Sequence, residues 1–157
     1  MLYYTKVTIV DPIDGSTYAT TDVAIIEGFT RYVAGADGVI YRLTARTGRH
    51  ALDEAHGKIG ALDDGATLSA KPLAARYTDC GYTHHLLTDD DGKRHEIRTH
   101  RVIASAFIGP VDGMVVDHLN FKRDDNRRDN LQIITQRDNC IRSIAAGRCP
   151  QLRRVAS

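Results

Sequence analysis

Alternating apolar and polar positions divide the N-terminal part of the chain into short strands joined by turns. The runs KVTIV and TYAT flank DPIDGS, TRYVAG and GVIYRL flank GADG, and GYTHHLLT and KRHEIRT flank DDDG. Glycine and aspartate in such turns supply the backbone conformations that a tight reversal requires. The pattern therefore predicts three β-hairpins before residue 99.

Residues 44–80 interrupt this regular pattern. Their apolar positions fit neither a strand nor a helix over any length. A short helix near His50–His56 and a later strand are the elements that the pattern allows. We interpret the segment as an insertion in the hairpin-rich region.

The apolar period changes after residue 98. A helix is predicted with Thr99 as its N-cap and Gly109-Pro110 at its end, because its apolar residues recur at helical spacing: Val102, Ile103, Ala106 and Phe107. GMVVDH and NLQIIT then read as strands, and QRDNCIRSIAAG reads as a helix closed by Gly147. The segment thus predicts strand, long polar loop, strand and helix.

These elements together predict an α+β protein. A β-hairpin-rich module would occupy residues 1–98, and a linking helix followed by the strand–loop–strand–helix unit would occupy residues 99–147. Residues 148–157 form a basic tail.

The composition indicates one compact domain with a smaller appendage. The chain has 157 residues, of which 42% are hydrophobic. Its three cysteines include no C-x-x-C pair, which argues against a zinc knuckle or a disulfide framework. The N-terminal residues lack the pattern of a signal peptide, and no apolar run reaches membrane-spanning length. We therefore expect a cytoplasmic protein without a membrane partner.

Charge is distributed unevenly although the net charge is only +1. Residues 1–92 carry 13 acidic and 8 basic side chains, a net of −5, and residues 93–157 carry 7 acidic and 13 basic ones, a net of +6. A basic C-terminal half suits a surface that faces phosphates. A solvated cationic face explains the same distribution, so charge alone leaves both interpretations open.

Three polar residues of the strand–loop–strand–helix segment are candidates for a metal site. Asp117 and His118 end the first strand, while Thr135 and Asp138 cap the last helix and so fix Asn139 on a rigid element. If the strands pair and the helix packs across them, the three side chains converge. A carboxylate and an amide oxygen are hard ligands suited to Mg²⁺, and the histidine would take a proton from an attacking water.

Each of these features also has a purely structural interpretation. An Asp-His pair is common at protein surfaces, and asparagine side chains often form turns. We interpret Asn120 and Asn126 as turn formers. His84 and His85 are neighbours in a strand and must face opposite sides, so we expect structural roles for both.

The stretch DHLNFKRDDNRRDNLQ resembles the HNH nuclease family, in the branch associated with phages, introns and homing. Asp117-His118, Asn130 in NLQ and a third position at Asn139 follow the family's order and spacing. The upstream stretch IEGFTRYVAGADGVIYRL resembles the opening of a modular segment often found ahead of such nucleases. The resemblance covers roughly residues 25–147.

The resemblance implies a role for each residue of the motif. His118 would be the general base, and Asn130 would complete the catalytic set by tying the loop so that His118 stays oriented. Asp117 and Asn139 would hold Mg²⁺ or another divalent cation such as Mn²⁺.

Two departures from the family change what is expected. Thr135 and Asp138 stand where other branches carry the cysteines of a C-x-x-C, which implies a ββα-metal nuclease unit without structural zinc. Phe121 and Lys122 stand where the family often has Gly and Asp, which alters the surface of the loop but not the proposed ligands.

Basic residues near the motif are candidates for contact with DNA phosphates: Lys122, Arg123, Arg127, Arg128, Arg101 and Arg137. Loop cations beside a metal site suit salt-sensitive phosphate contact, and a solvated loop is the alternative. Arg101 lies in the first turn of the linking helix, where the helix N-terminus attracts phosphate. Packing against the nuclease unit explains Arg101 equally well.

We therefore expect a metal-dependent HNH endonuclease that acts on double-stranded DNA, encoded by a phage or mobile element and working in the host cytoplasm. One ββα unit cuts one strand, so a monomer would nick DNA and a homodimer would cut both strands. Two alternatives stay open. One is a DNA-binding module whose nuclease site has decayed, and the other is an HNH nuclease acting on structured DNA or RNA.

Overall fold

The computed structural model describes residues 4–44 and 65–148, which form a strand-rich α+β fold. Its first five strands close into a barrel in which β1 pairs with β2 antiparallel and with β5 in parallel. These strands are β1 (Thr5–Val10), β2 (Thr17–Ile25), β3 (Tyr32–Gly35), β4 (Ile40–Leu43) and β5 (Ala66–Pro72). The first two predicted hairpins, β1–β2 and β3–β4, are confirmed.

A second, three-stranded sheet follows the barrel. It consists of β6 (Arg76–Tyr77), β7 (Thr83–Thr88) and β8 (Arg94–Arg98), all paired antiparallel. The third predicted hairpin, β7–β8, is therefore confirmed. His85 is buried while His84 turns to the other face, with Nε2 3.9 Å from Glu96 Oε1, so the two histidines face opposite sides as predicted.

The predicted strand–loop–strand–helix order is also confirmed. After helix α1 (Thr99–Phe107) come β9 (Val115–His118), a 3₁₀ turn (Arg128–Asn130), β10 (Leu131–Ile134) and helix α2 (Gln136–Ala145). The two strands pair antiparallel with His118 opposite Leu131. No helix in the described ranges combines the length and apolar character needed to cross a membrane.

The start of α1 differs from the prediction. Thr99 is the first helical residue rather than the N-cap, and the capping position is held by Arg98 without a side-chain hydrogen bond. The reason is that β8 runs directly into the helix, with Arg98 still paired to His84. At the start of α2 the prediction is confirmed, because Thr135 is the N-cap and accepts a hydrogen bond from the Asp138 N–H.

The proposed insertion is only partly described. Its later part contains β5 and β6, so the predicted strand is present and serves to close the barrel. The helix predicted near His50–His56 lies outside the described residues. The same holds for the basic tail from residue 149 onward.

Two apolar clusters hold these elements together. One fills the barrel, and the other joins α1 to the barrel, to β7 and to the β9–β10 hairpin. Ile103 and Ala104 of α1 are completely buried in the second cluster, together with Val116 of β9 and Leu131 of β10. Helix α1 therefore fixes the β9–β10 hairpin relative to the rest of the chain.

The turn between β3 and β4 touches the polar loop that separates β9 from β10. The Arg128 N–H donates to the Ala36 carbonyl at 2.9 Å. A Cβ on Gly38 would lie 2.6 Å from the carbonyl carbon of Asn126 and 2.7 Å from the backbone nitrogen of Arg127. Only glycine allows such close approach, and its φ of +87° favours glycine as well. The barrel thus holds the loop directly, backbone against backbone.

We expect Gly38→Ala to lower the free energy of unfolding by roughly 2–4 kcal/mol, since positive φ and displaced backbone each add cost. Gly92 in the β7–β8 turn is a matched control, because it has the same φ of +87° and open space around it. Gly92→Ala should therefore cost only about 1 kcal/mol. Denaturant unfolding measures both variants, and equal losses would contradict the close contact between turn and loop.

Candidate functional site

Asn130 ties the two ends of the polar loop together. Its Oδ1 accepts from the Asn120 N–H at 3.0 Å, and its Nδ2 donates to Asn120 Oδ1 at 3.0 Å and to the Asp125 carbonyl at 2.8 Å. The Asn130 amide is buried. Its hydrogen bonds therefore also offset the loss of stability that a buried amide without partners would cause. Asn120 completes a local turn by accepting from the Lys122 N–H, as the turn interpretation predicted.

Ionic contacts and backbone conformation shape the exposed side of the loop. Arg127 holds Asp125 through two hydrogen bonds of 2.8 and 2.9 Å, and this contact lowers the pKa of Asp125 to about 2. Phe121 has a φ of +61°, a left-handed conformation that glycine adopts without strain. This conformation accounts for the glycine that the resemblance implies at that position.

His118 lies at the end of β9 and is only 3% exposed. Its Nε2 is 3.1 Å from Oδ1 of Asn126, which is itself buried. Its ring lies 5.3 Å from the ring of His100 on α1 and 6.0 Å from that of Tyr82. The imidazole is therefore held by one hydrogen bond and by two neighbouring rings.

The neighbouring His100 is neutral near pH 7. Burial is the largest cause, and the proximity of His118, Arg98 and Arg101 adds to it, so that the pKa of His100 falls to about 4. His100 therefore adds no positive charge beside the ring of His118.

Asp117 leaves the opposite face of β9 and meets Gln132 and helix α2. Gln132 Nε2 donates to Asp117 Oδ2 at 2.9 Å, and Arg142 Nε lies 2.8 Å from the same oxygen. The Nε–H of Arg142 has no acceptor in line with it, so its contact with Asp117 is a pairing of charges without a hydrogen bond. The carboxylate side chain is 12% exposed, and the Arg142 guanidinium places a positive charge beside it.

Asn139 lies on α2, the helix whose Arg142 contacts Asp117. It precedes Arg142 by three residues, and residues at that spacing are neighbours on one helix face. Because Arg142 contacts Asp117, this spacing predicts that Asn139 lies on the side of the helix that meets the carboxylate. The donor types fit Mg²⁺, since both are oxygen ligands.

The structure places Asp117 beside Arg142 of α2, the helix that also carries Asn139, and it places His118 beside Asn126 of the polar loop. Adjacent strand residues alternate in direction, and the contacts of Asp117 and His118 follow that rule. The two side chains flank the end of β9 rather than lie side by side. No group of three His, Cys, Asp or Glu in the described ranges is arranged to hold a metal, but asparagine falls outside that set, so the predicted ligand pair stays a prediction.

Two of the predicted phosphate contacts already bind protein atoms. Arg101 donates to the backbone carbonyls of Val111 at 2.9 Å and Met114 at 3.2 Å. Arg128 pairs with Asp22 of β2 at 3.0 Å. Both guanidinium groups therefore tie elements of the fold together, which is the packing alternative for Arg101.

The other predicted cations differ in how far they are occupied. Arg123 lies over the ring of Tyr82 at 5.1 Å and donates to the Cys80 carbonyl, and Arg127 is paired as described above. Lys122 and Arg137 are exposed, and neither side chain has a partner within the part of the chain that the structure describes. These two are the cations most available to a ligand.

Sequence reasoning missed several residues of the site. Asn126 looked like a turn former, and nothing local revealed that its amide is buried against His118. Arg142 was considered with Arg137 only as an extension of the phosphate-contact surface, and its pairing with Asp117 was not predicted. The strand register also collects three exposed arginines on one face of the second sheet: Arg76, Arg94 and Arg98.

Comparison with known proteins identifies the segment that carries the motif. Residues 98–140 match the family model described as HNH endonuclease. This range contains α1, β9, the polar loop, β10 and the first half of α2. The resemblance of this segment to the HNH family, which the sequence motif indicated, is therefore confirmed.

A solved structure described as "DNA binding and cleavage by the HNH homing endonuclease I-HmuI" matches with a TM-score of 0.60 and 23% identity. The match covers 85% of this chain and 65% of that one, so this chain spans about two thirds of its length. At this identity the match establishes a shared fold. A search of curated proteins finds no match.

Proposed function

We propose that this protein is a metal-dependent endonuclease of the HNH type that hydrolyses phosphodiester bonds in double-stranded DNA. The observation that carries the proposal lies at the end of β9, within the segment that matches the family model. There a partly buried carboxylate, Asp117, contacts Arg142 of the helix that bears Asn139, and the next residue is an imidazole held by a buried amide.

Each residue has a role that follows from its surroundings. His118 would take the proton from the attacking water, because an imidazole changes charge near neutral pH. Asp117 and Asn139 would hold a divalent cation, which when bound supplies positive charge to the phosphate. Asn130 would keep the loop closed between its first and last residues.

Two groups of cations would bind the DNA backbone. Lys122 and Arg137 belong to the loop and to α2, close in sequence to the proposed site. Arg76, Arg94 and Arg98 project from one face of the second sheet, with Glu96 as the acidic residue of that face. Basic side chains on both elements would allow the DNA to contact the sheet and the site together.

A DNA-binding module with a decayed nuclease site is the second candidate. The observation that favours it is Arg142, whose guanidinium lies beside the carboxylate that a metal would need. The low exposure of His118, 3%, also favours the binding module. Cleavage assays distinguish the two candidates, because a binding module leaves DNA intact.

With Mg²⁺, the protein should convert supercoiled plasmid to relaxed circles if it acts as a monomer, or to linear DNA if it acts as a dimer. His118→Gln should reduce the rate by roughly 10²–10⁴-fold with little change in DNA affinity, because it removes the general base. His95→Gln is the matched control and should remain active, since His95 contacts Asp89 in the β7–β8 turn. Plasmid that stays supercoiled with every divalent metal would favour the binding module.

Metal binding should become tighter when Arg142 is removed. Arg142→Met frees the Asp117 carboxylate of a competing cation, so we expect Mn²⁺ affinity to rise about tenfold. Arg148→Met is the matched control, because the guanidinium groups of Arg142 and Arg148 both lie over the Phe121 ring, at 4.9 and 4.5 Å. Calorimetric titration measures both. Asp117→Asn should abolish binding, and an unchanged affinity in that variant would remove Asp117 from the site.

The salt dependence of DNA binding should separate available cations from occupied ones. Replacing Lys122 and Arg137 together by glutamine should flatten the slope of log affinity against log salt by about 1–2, since each lost phosphate contact removes about 0.9. Arg101→Gln should leave the slope unchanged and lower stability instead, because that side chain bonds Val111 and Met114. Equal slopes in the double variant and the wild type would indicate a solvated loop.

A further inference from the structure

The amide of Asn126 has a defined orientation. Its Nδ2 is 2.7 Å from Thr83 Oγ1 and 3.3 Å from the backbone carbonyl of Asp124. A carbonyl only accepts hydrogen bonds, so the atom facing it must be the amide nitrogen. The amide oxygen therefore faces His118.

This orientation determines which nitrogen of His118 carries a proton. Asn126 Oδ1 lies 3.1 Å from His118 Nε2, and an amide oxygen can only accept. Nε2 must therefore donate. A neutral imidazole has one N–H, so Nδ1 keeps its lone pair and is the nitrogen that can accept a proton from water.

We infer that Asn126 is the positioning residue that fixes the tautomer and the ring orientation of His118. The inference deepens the proposed function and rests on it for the role of His118 as base. The resemblance assigned this orienting role to Asn130, but the side-chain bonds of Asn130 go to Asn120 and Asp125. The rings of His100 and Tyr82 limit the plane of the imidazole and supply no acceptor to it.

The residues that support Asn126 lie outside the segment matched to the family. Thr83 belongs to β7 and is 3% exposed. Gly38 belongs to the β3–β4 turn of the barrel, where the Asn126 backbone leaves no space for a Cβ. The family match begins at residue 98. The N-terminal part of the chain therefore contributes to the orientation of the base.

The first test reads the tautomer without any cleavage. In ¹⁵N-histidine-labelled full-length protein at about pH 8, above the ordinary histidine pKa of about 6.5, Nε2 of His118 should carry a slowly exchanging proton. The spectrum of His118→Gln identifies the signal. Asn126→Leu should lose it, whereas Asn126→Asp should keep it because a carboxylate also accepts from Nε2.

The second test measures plasmid cleavage by the same proteins. Asn126→Leu should lower kcat about 10- to 100-fold with KM for DNA unchanged, a smaller loss than removal of the base. Asn126→Asp should recover part of that loss, and Thr83→Val should lower kcat several-fold because it releases the amide nitrogen. Asn120→Ala is the control, since it weakens the loop and should leave the Nε2 proton in place.

The outcomes separate this inference from the proposed function. A proton on Nδ1 in the wild type, or an unchanged Nε2 signal and kcat in Asn126→Leu, would overturn the positioning role. If Asn126→Leu does not fold, Thr83→Val and Asn126→Asp decide the same question by the same two measurements. A wild type that shows the Nε2 proton but cuts no DNA would leave the orientation intact and refute the nuclease.

Discussion

The arrangement of the site depends on one contact, the close approach of the barrel turn to the backbone of the polar loop. The loop has too few apolar side chains to be held by a core, so it needs partners for its backbone and amides. Gly38 leaves space for Asn126 and Arg127, and Ala36 accepts from the Arg128 N–H. With the backbone fixed there, the Asn126 amide reaches both Thr83 and His118.

The end of β9 presents two different chemical environments. On the side of α1, His118 is enclosed by rings and one amide, and His100 stays neutral beside it. On the side of α2, Asp117 lies among hydrogen-bond donors and a guanidinium. Because side chains alternate along a strand, His118 and Asp117 lie in these different surroundings although they are neighbours in sequence.

The pairing of Asp117 with Arg142 places a positive charge beside a partly buried carboxylate. The contact lacks an aligned hydrogen bond, which leaves the guanidinium less firmly held than a bidentate pair would be. Under the proposed function, a divalent cation held by Asp117 and Asn139 would supply positive charge in place of this guanidinium. The same arginine is therefore compatible with both candidate functions.

Local patterns determined the three hairpins, both helices and the strand–loop–strand–helix order, because periodicity and turn residues act over a few positions. The motif at Asp117, His118, Asn130 and Asn139 also indicated the resemblance to HNH endonucleases, which the family model matches over residues 98–140. Closure of the barrel by β5, the burial of Asn126 and the approach of Arg142 to Asp117 were decided by tertiary structure. Each of these three features joins residues on different elements. The energy of such contacts depends on the distance between the groups and on their burial, and sequence spacing does not encode either quantity.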